Sequence, residues 1–283
     1  MAPAITGIDH AIVGVRALEE ARAGYERLGF TLSPRGSHIG WGTANYCIMF
    51  ERDYIELLGI VDASQFTNNL DKFLASREGL MGVAFASSDA DRAAQELRAR
   101  GIAAEGPTAL ERRLELAEGT VLPRFRLVRF PETAAPGLSA FVCQHLTPEL
   151  VRRPPWLVHA NGAARILSLS VVVERPAALT DTYERLFGLG AVTPTDRLIT
   201  LRVGRHSILF LDVDELTVLH PKARPFEGVK PPYLAAMTLG VASPERTAAL
   251  LTERGVPFER EVDGAVAVAP EASCGLWLIF AEG

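Results

Sequence analysis

The chain has 283 residues, 48% of them hydrophobic and 22% charged, with 29 Lys and Arg against 34 Asp and Glu. That length is enough for roughly two domains with packed cores, which excludes global disorder, and a net charge of −5 excludes a uniformly basic nucleic-acid binder. No run approaches about 18 apolar residues, the start MAPAITGIDH lacks a signal-peptide pattern, and Cys47, Cys143 and Cys274 stand too far apart for a disulfide framework, so a cytoplasmic protein with no membrane partner is expected.

Residues 8–30, IDHAIVGVRALEEARAGYERLGF, read as an apolar strand, an amphipathic helix and a Gly-containing exit. Strands are expected next at FTLSP, ANYCIMFE and DYIELLGIV. The same opening returns at residues 80–102, LMGVAFASSDADRAAQELRARGI, with later strands at RFRLVRF and LSAFVCQH. Residues 147–162, TPELVRRPPWLVHANG, break the pattern with three prolines and mark a boundary. The opening recurs at residues 167–190, where the YERL of Tyr25 to Leu28 reappears at Tyr183 to Leu186, and again at residues 237–256. LITLRV, HSILFLDV, AVAVAP and GLWLIF are the remaining strand candidates. Ser88-Asp89, Pro176 and Ser243-Pro244 mark helix starts, and Gly29, Gly101, Gly188 and Gly255 mark helix ends. The expectation is an α+β chain of four βαβββ modules, paired into domains at residues 1–150 and 165–283 around a linker at 151–164.

Four such units in two pairs resemble the vicinal oxygen chelate superfamily, which includes glyoxalase I, extradiol dioxygenases and bleomycin-resistance proteins. The opening segment, GSHIGWGTANY, YIELLGI, FVCQHLTPEL and HANGA more narrowly resemble its glyoxalase-like domain group. The resemblance implies paired half-barrels with a ligand on the concave side, often over a divalent metal. It also places a metal ligand at the His of the DH dipeptide, His10, and a metal carboxylate at Glu56 in the last strand of the first module. The residues themselves leave other readings open: His10 satisfied by a backbone carbonyl, and Glu56 paired with an arginine. A Glu inside an apolar strand still requires a partner, because an uncompensated buried carboxylate costs several kcal/mol.

The second module departs from the pattern, since Gly82 stands where a second first-strand ligand belongs. Its last strand offers Cys143 and His145 on one face, and His145 is the third candidate ligand unless it only caps the turn before Pro148. His10 and Glu56, the candidate catalytic pair, would then form with His145 a two-His-one-carboxylate set suited to Fe, Zn, Mn or Ni. Candidate substrate-binding residues are His38, Trp41, Thr43 and Asn45 in a Gly-rich loop, Arg124 and Arg126 on one strand face, and His159 and Asn161 near the linker. Each has a plain alternative: a hairpin anchor, a solvated strand face or an Asn-Gly turn. The second half carries no matching set and suggests a cover or a dimer surface. The reading is a metal-dependent glyoxalase-like lyase, isomerase or dioxygenase acting on a small oxygenated molecule. The alternative is a non-catalytic small-molecule binding protein of the bleomycin-resistance type.

Overall fold

The computed structural model describes residues 3–283. The first module runs β1 (Ile5–Val15), α1 (Leu18–Arg27), β2 (Gly36–His38), β3 (Thr43–Met49) and β4 (Tyr54–Ile60). After α2 (Leu70–Ser76) come β5 (Gly79–Ser87), α3 (Ala90–Ala99), β6 (Glu105–Leu116), β7 (Gly119–Val121), β8 (Arg124–Arg129) and β9 (Ser139–His145). A short helix α4 (Pro148–Val151) precedes β10 (Ala163–Val172), α5 (Thr180–Phe187), β11 (Val192–Pro194), β12 (Leu198–Val203) and β13 (His206–Leu211). Helix α6 (Val213–Leu219) then leads to β14 (Tyr233–Val241), α7 (Pro244–Glu253), β15 (Glu259–Arg260), β16 (Val266–Val268) and β17 (Trp277–Glu282).

The helix signals act as their chemistry requires. Asp89 accepts from the Arg92 amide and Ser243 from the Arg246 amide, each satisfying a donor that the first helical turn leaves unpaired. Gly29, Gly101 and Gly255 leave their helices at positive φ.

The strands form a nine-stranded sheet, β2-β3-β4-β1-β5-β9-β8-β6-β7, and an eight-stranded sheet, β11-β12-β13-β10-β14-β17-β16-β15. In each, the two modules meet through their first strands, β1 against β5 and β10 against β14, both antiparallel. A further β2–β6 ladder joins the edge regions of the first sheet, so this sheet encloses space inside a barrel.

Sequence and structure differ in the strands of lowest hydrophobicity. FTLSP is irregular, and the second strand is Gly36–His38, within the segment read as a loop. Strand β6 was not expected, because GPTALERRLEL shows charge before it shows alternation. Arg112 and Leu114 on it are nonetheless buried, as strand closure demands.

One apolar core runs through both sheets. The YERL repeat helps to weld it: Tyr25 Oη donates to the Ser273 carbonyl at 3.1 Å, and Tyr183 Oη to the Pro136 carbonyl at 2.9 Å. The first module thus grips the fourth, and the third grips the second, through equivalent tyrosines. In the second half, Leu216 of α6 and Ala223 beyond it pack against Ala235, Ala236, Ala267 and Trp277 of the sheet. No helix among the described residues is long and apolar enough to cross a membrane.

Candidate functional site

The first sheet surrounds a cavity of about 70 Å³. Its walls are Trp41, Tyr54, Phe125 and Phe141 with Ile12, Leu58, Leu110 and Leu127, and its polar lining is His10, His38, Glu56, Asn68, Arg112, Arg129 and Cys143. A small, mostly apolar chamber with a few converging polar groups is the form of a small-molecule site.

His10 and Glu56 meet directly, with His10 Nε2 3.6 Å from Glu56 Oε2. Their strands are parallel neighbours, and register places Ile12 opposite Glu56. The His10 ring stacks on Tyr54 with centroids 4.5 Å apart, and its Nδ1 lies 2.7 Å from Asp9 Oδ2. On the other side of Glu56, His38 Nε2 is 4.0 Å from Oε1, while His38 Nδ1 lies 2.9 Å from Thr43 Oγ1. Asn45 Nδ2 donates a short hydrogen bond to Glu56 Oε1 and Asn45 Oδ1 accepts from Arg112 Nη1 at 2.8 Å, so a guanidinium, an amide and a carboxylate form one chain.

These contacts set the charges. Burial alone raises the Glu56 carboxyl, yet His10, His38, the Asn45 hydrogen bond and Arg112 outweigh it and hold the group below its ordinary value. Burial drives His38 down in spite of Glu56 beside it. Asp9 is likewise pushed up by burial, but His145 and the hydrogen bonds from His10 and His145 hold it far below the carboxylate range. Burial pushes the Cys47 thiol up to about 11 and Cys143 well above its ordinary value.

His145 joins the site through Asp9: its Nε2 is 3.1 Å from Asp9 Oδ2, and its Nδ1 is buried without a hydrogen-bond partner. Among the described residues, one group of three His, Cys, Asp or Glu donors lies within 4.8 Å of one another, namely Asp9, Cys143 and His145.

The residues of the Gly-rich segment gather as a set. His38 and Trp41 line the chamber with rings 5.1 Å apart, while Thr43 and Asn45 stand directly behind its acids and bases. Arg124 and Arg126 lie on the opposite face of β8; Arg126 pairs with Asp91 on α3, and Phe125, Leu127 and Arg129 face the cavity instead. His159 accepts from the Thr31 amide at 3.0 Å and contacts the Met49 carbonyl between Phe30 and Phe50. Asn161 donates to the Leu28 carbonyl and accepts from the Ala163 amide. Both hold the chain together away from the cavity. Arg112, Asp9, Tyr54 and Arg129 are the site residues that sequence reasoning missed. The signal for Asp9 was available beside His10, whereas Arg112 was hidden in a charged run.

A divalent cation fits the His10–Glu56 pair. With Nδ1 turned to Asp9, His10 Nε2 faces Glu56 Oε2 at 3.6 Å, so an imidazole nitrogen and a carboxylate oxygen, both able to ligate a divalent ion, converge in a buried place. Ligands about 2.1 Å from a shared metal stand roughly 3.0–3.6 Å apart at bond angles of about 90–120°. Both imidazoles have their second nitrogen tied, by Asp9 and by Thr43, the support that orients metal-ligating histidines.

The chain belongs to the family described as glyoxalase-like domain, whose profile matches residues 8–187, and hence to the vicinal oxygen chelate superfamily. No curated protein matches it significantly. Among solved structures, a hypothetical protein from Staphylococcus aureus aligns with a TM-score of 0.71 and 13% identity over 98% of this chain and 99% of that one. A mutant of 4-hydroxymandelate synthase from Streptomyces coelicolor aligns at TM-score 0.60 and 10% identity, covering 99% and 94%. A xylose isomerase-like TIM barrel/4-hydroxyphenylpyruvate dioxygenase fusion aligns at TM-score 0.61 and 14% identity over 99% of this chain and 49% of the fusion. At these identities the likeness is one of fold.

Proposed function

We propose that the chain is a metal-dependent enzyme of the vicinal oxygen chelate type, acting on a small oxygenated organic molecule in the N-terminal cavity. The observation that carries this reading is the buried His10 Nε2–Glu56 Oε2 approach at 3.6 Å, with His10 Nδ1 on Asp9. His10 and Glu56 would hold the metal, with His38 beside Glu56 at 4.0 Å and His145 supporting Asp9 from behind. Bound there, a divalent ion supplies Lewis-acid polarisation of a substrate carbonyl or enolate oxygen. Arg112 and Asn45 keep Glu56 ionised and aimed into the chamber. Trp41, Tyr54, Phe125 and Phe141 exclude water and orient a flat substrate, and Arg129 offers a cation to an anionic group.

Metal analysis of protein purified without added metal tests this. Stoichiometric metal that disappears in both His10→Ala and Glu56→Ala supports it. Metal-free protein that binds small ligands equally well after both substitutions refutes it and leaves the non-catalytic binding module.

The Asp9–Cys143–His145 group supports a second placement of the ion, one step behind His10. Cobalt(II) substitution separates the two. A thiolate-to-cobalt charge-transfer band abolished by Cys143→Ser assigns the ion to the second group, and a spectrum without that band assigns it to nitrogen and oxygen ligands.

A further inference from the structure

Strand β1 outruns its parallel neighbour. Pairing with β4 begins only at His10 opposite Tyr54, so β1 from Ile5 to Asp9 has no β4 backbone beside it. On its other side, the antiparallel ladder with β5 slips between Ile8 and His10, leaving Asp9 as an extra, bulged residue. The bulge has a chemical consequence. Strict alternation would put Asp9 and His10 on opposite faces, whereas here the Asp9 carboxylate reaches His10 Nδ1 at 2.7 Å.

The uncovered part of β1 is covered by the C-terminal half. The Ile8 amide donates to His206 Nδ1 at 3.0 Å, across 198 residues of sequence. His206 Nε2 lies 2.9 Å from Asp53 Oδ2, Arg205 pairs with the same carboxylate, and Asp53 Oδ1 accepts from the Ile166 amide at 2.9 Å. Because Nδ1 accepts, the His206 proton is on Nε2 and donates to Asp53. His206 thus touches the residue before the Asp9–His10 pair and the residue before Tyr54, the ring on which His10 stacks. The approach is built for contact: a Cβ at Gly7 would lie 3.0 Å from His206 Nδ1, and one at Gly204, where φ is +60°, would overlap the Thr6 carbonyl.

We propose that His206 is a positioning residue for the N-terminal site, fixing through the Ile8 amide the bulge that presents Asp9 and His10 to the cavity. The second half is then part of the site's scaffold. The significance of the role rests on the reading of His10 given above, but the test does not.

In the full chain, His206→Leu removes the acceptor. The expected results are faster hydrogen exchange at the Ile8 amide by 10-fold or more, displaced His10 imidazole signals in nitrogen NMR, and cobalt(II) affinity weaker by about 10–100-fold, the usual effect of losing an outer support. His206→Asn keeps an acceptor near Nδ1 and gives up Asp53, whereas His206→Gln keeps the donor to Asp53. The Asn variant is expected to hold the wild-type His10 signals and the Gln variant to lose them, a comparison that stands even where the Leu variant does not fold. A lower melting temperature with unchanged His10 signals in His206→Leu makes the residue a docking contact only and overturns the proposal, as does the reverse order of Asn and Gln. Wild-type protein that binds no cobalt refutes the metal reading while the His10 signals still decide this one.

Discussion

Asn45→Ala removes the link between the two buried charges of the cavity. Asn45 is 1% exposed and makes two hydrogen bonds, giving one to Glu56 and accepting one from Arg112. A hydrogen bond to a charged group is worth about 1.5–3 kcal/mol, so the pair sets a ceiling of about 3–6 kcal/mol. Direct pairing of Arg112 with Glu56 across the vacated space returns part of this, leaving an expected destabilisation of about 2–4 kcal/mol at pH 7. The pH dependence identifies the cause. Glu56 is held below its ordinary value of 4.5, so its stabilising contribution is full above that pH and is lost as pH falls through the lower folded value. The deficit of Asn45→Ala relative to wild type is therefore constant at neutral pH and narrows only in acid, as pH falls through the folded values of Glu56 in the two proteins. Urea unfolding of both proteins at pH 7 and in steps through the acid range below pH 4.5 measures it. A deficit under about 1 kcal/mol at pH 7, or one that never narrows before both proteins unfold in acid, refutes the charge-chain argument.

Three further outcomes are expected. Arg126→Ala leaves ligand binding unchanged, since Arg126 pairs with Asp91 at the surface, whereas Arg112→Leu abolishes it; calorimetry with a common ligand reads both, and a large loss in the first refutes the orientation of β8. A thiol reagent at pH 8 labels none of the three cysteines in native protein and all three in urea, because burial raises Cys47 to about 11, Cys274 to about 12 and Cys143 well above its ordinary value. His220, buried beside Ser170 at 2.9 Å, is lowered from 6.5 to about 4. Its neutral form is the folded one, so stability falls as pH drops from 6.5 to 4, by up to about 3 kcal/mol. Urea midpoints over that range should fall less in His220→Gln than in wild type, and parallel curves would refute it.

The repeat, the helix caps and most strands were legible because each is a local property: apolar periodicity, a capping side chain, a glycine at an exit. His10 and Glu56 were legible for a related reason, since a titratable group inside an apolar strand has to be paired wherever the strand goes. His38, Thr43 and Asn45 could be named as a polar cluster, but their division of labour could not, because contact with Glu56 depends on how β2 and β3 cross β4. Arg112 was invisible: only the β2–β6 ladder distinguishes a buried guanidinium from its charged neighbours in GPTALERRLEL.

What the sequence by itself determined is therefore the set of modules and the kind of residues that line a cavity. Which residues face inward was decided by tertiary structure. On β8 a period of two allowed either Arg124 and Arg126 or Phe125, Leu127 and Arg129 to point at the ligand, and pairing with β6 and β9 selected the second set. On β1 a single extra residue brought Asp9 to His10 against strand alternation, and the bond beside that bulge comes from His206, 198 residues away. Periodicity is written into neighbouring residues, whereas register, bulges and barrel closure arise from backbone hydrogen bonds between strands far apart in the chain, which no local pattern encodes.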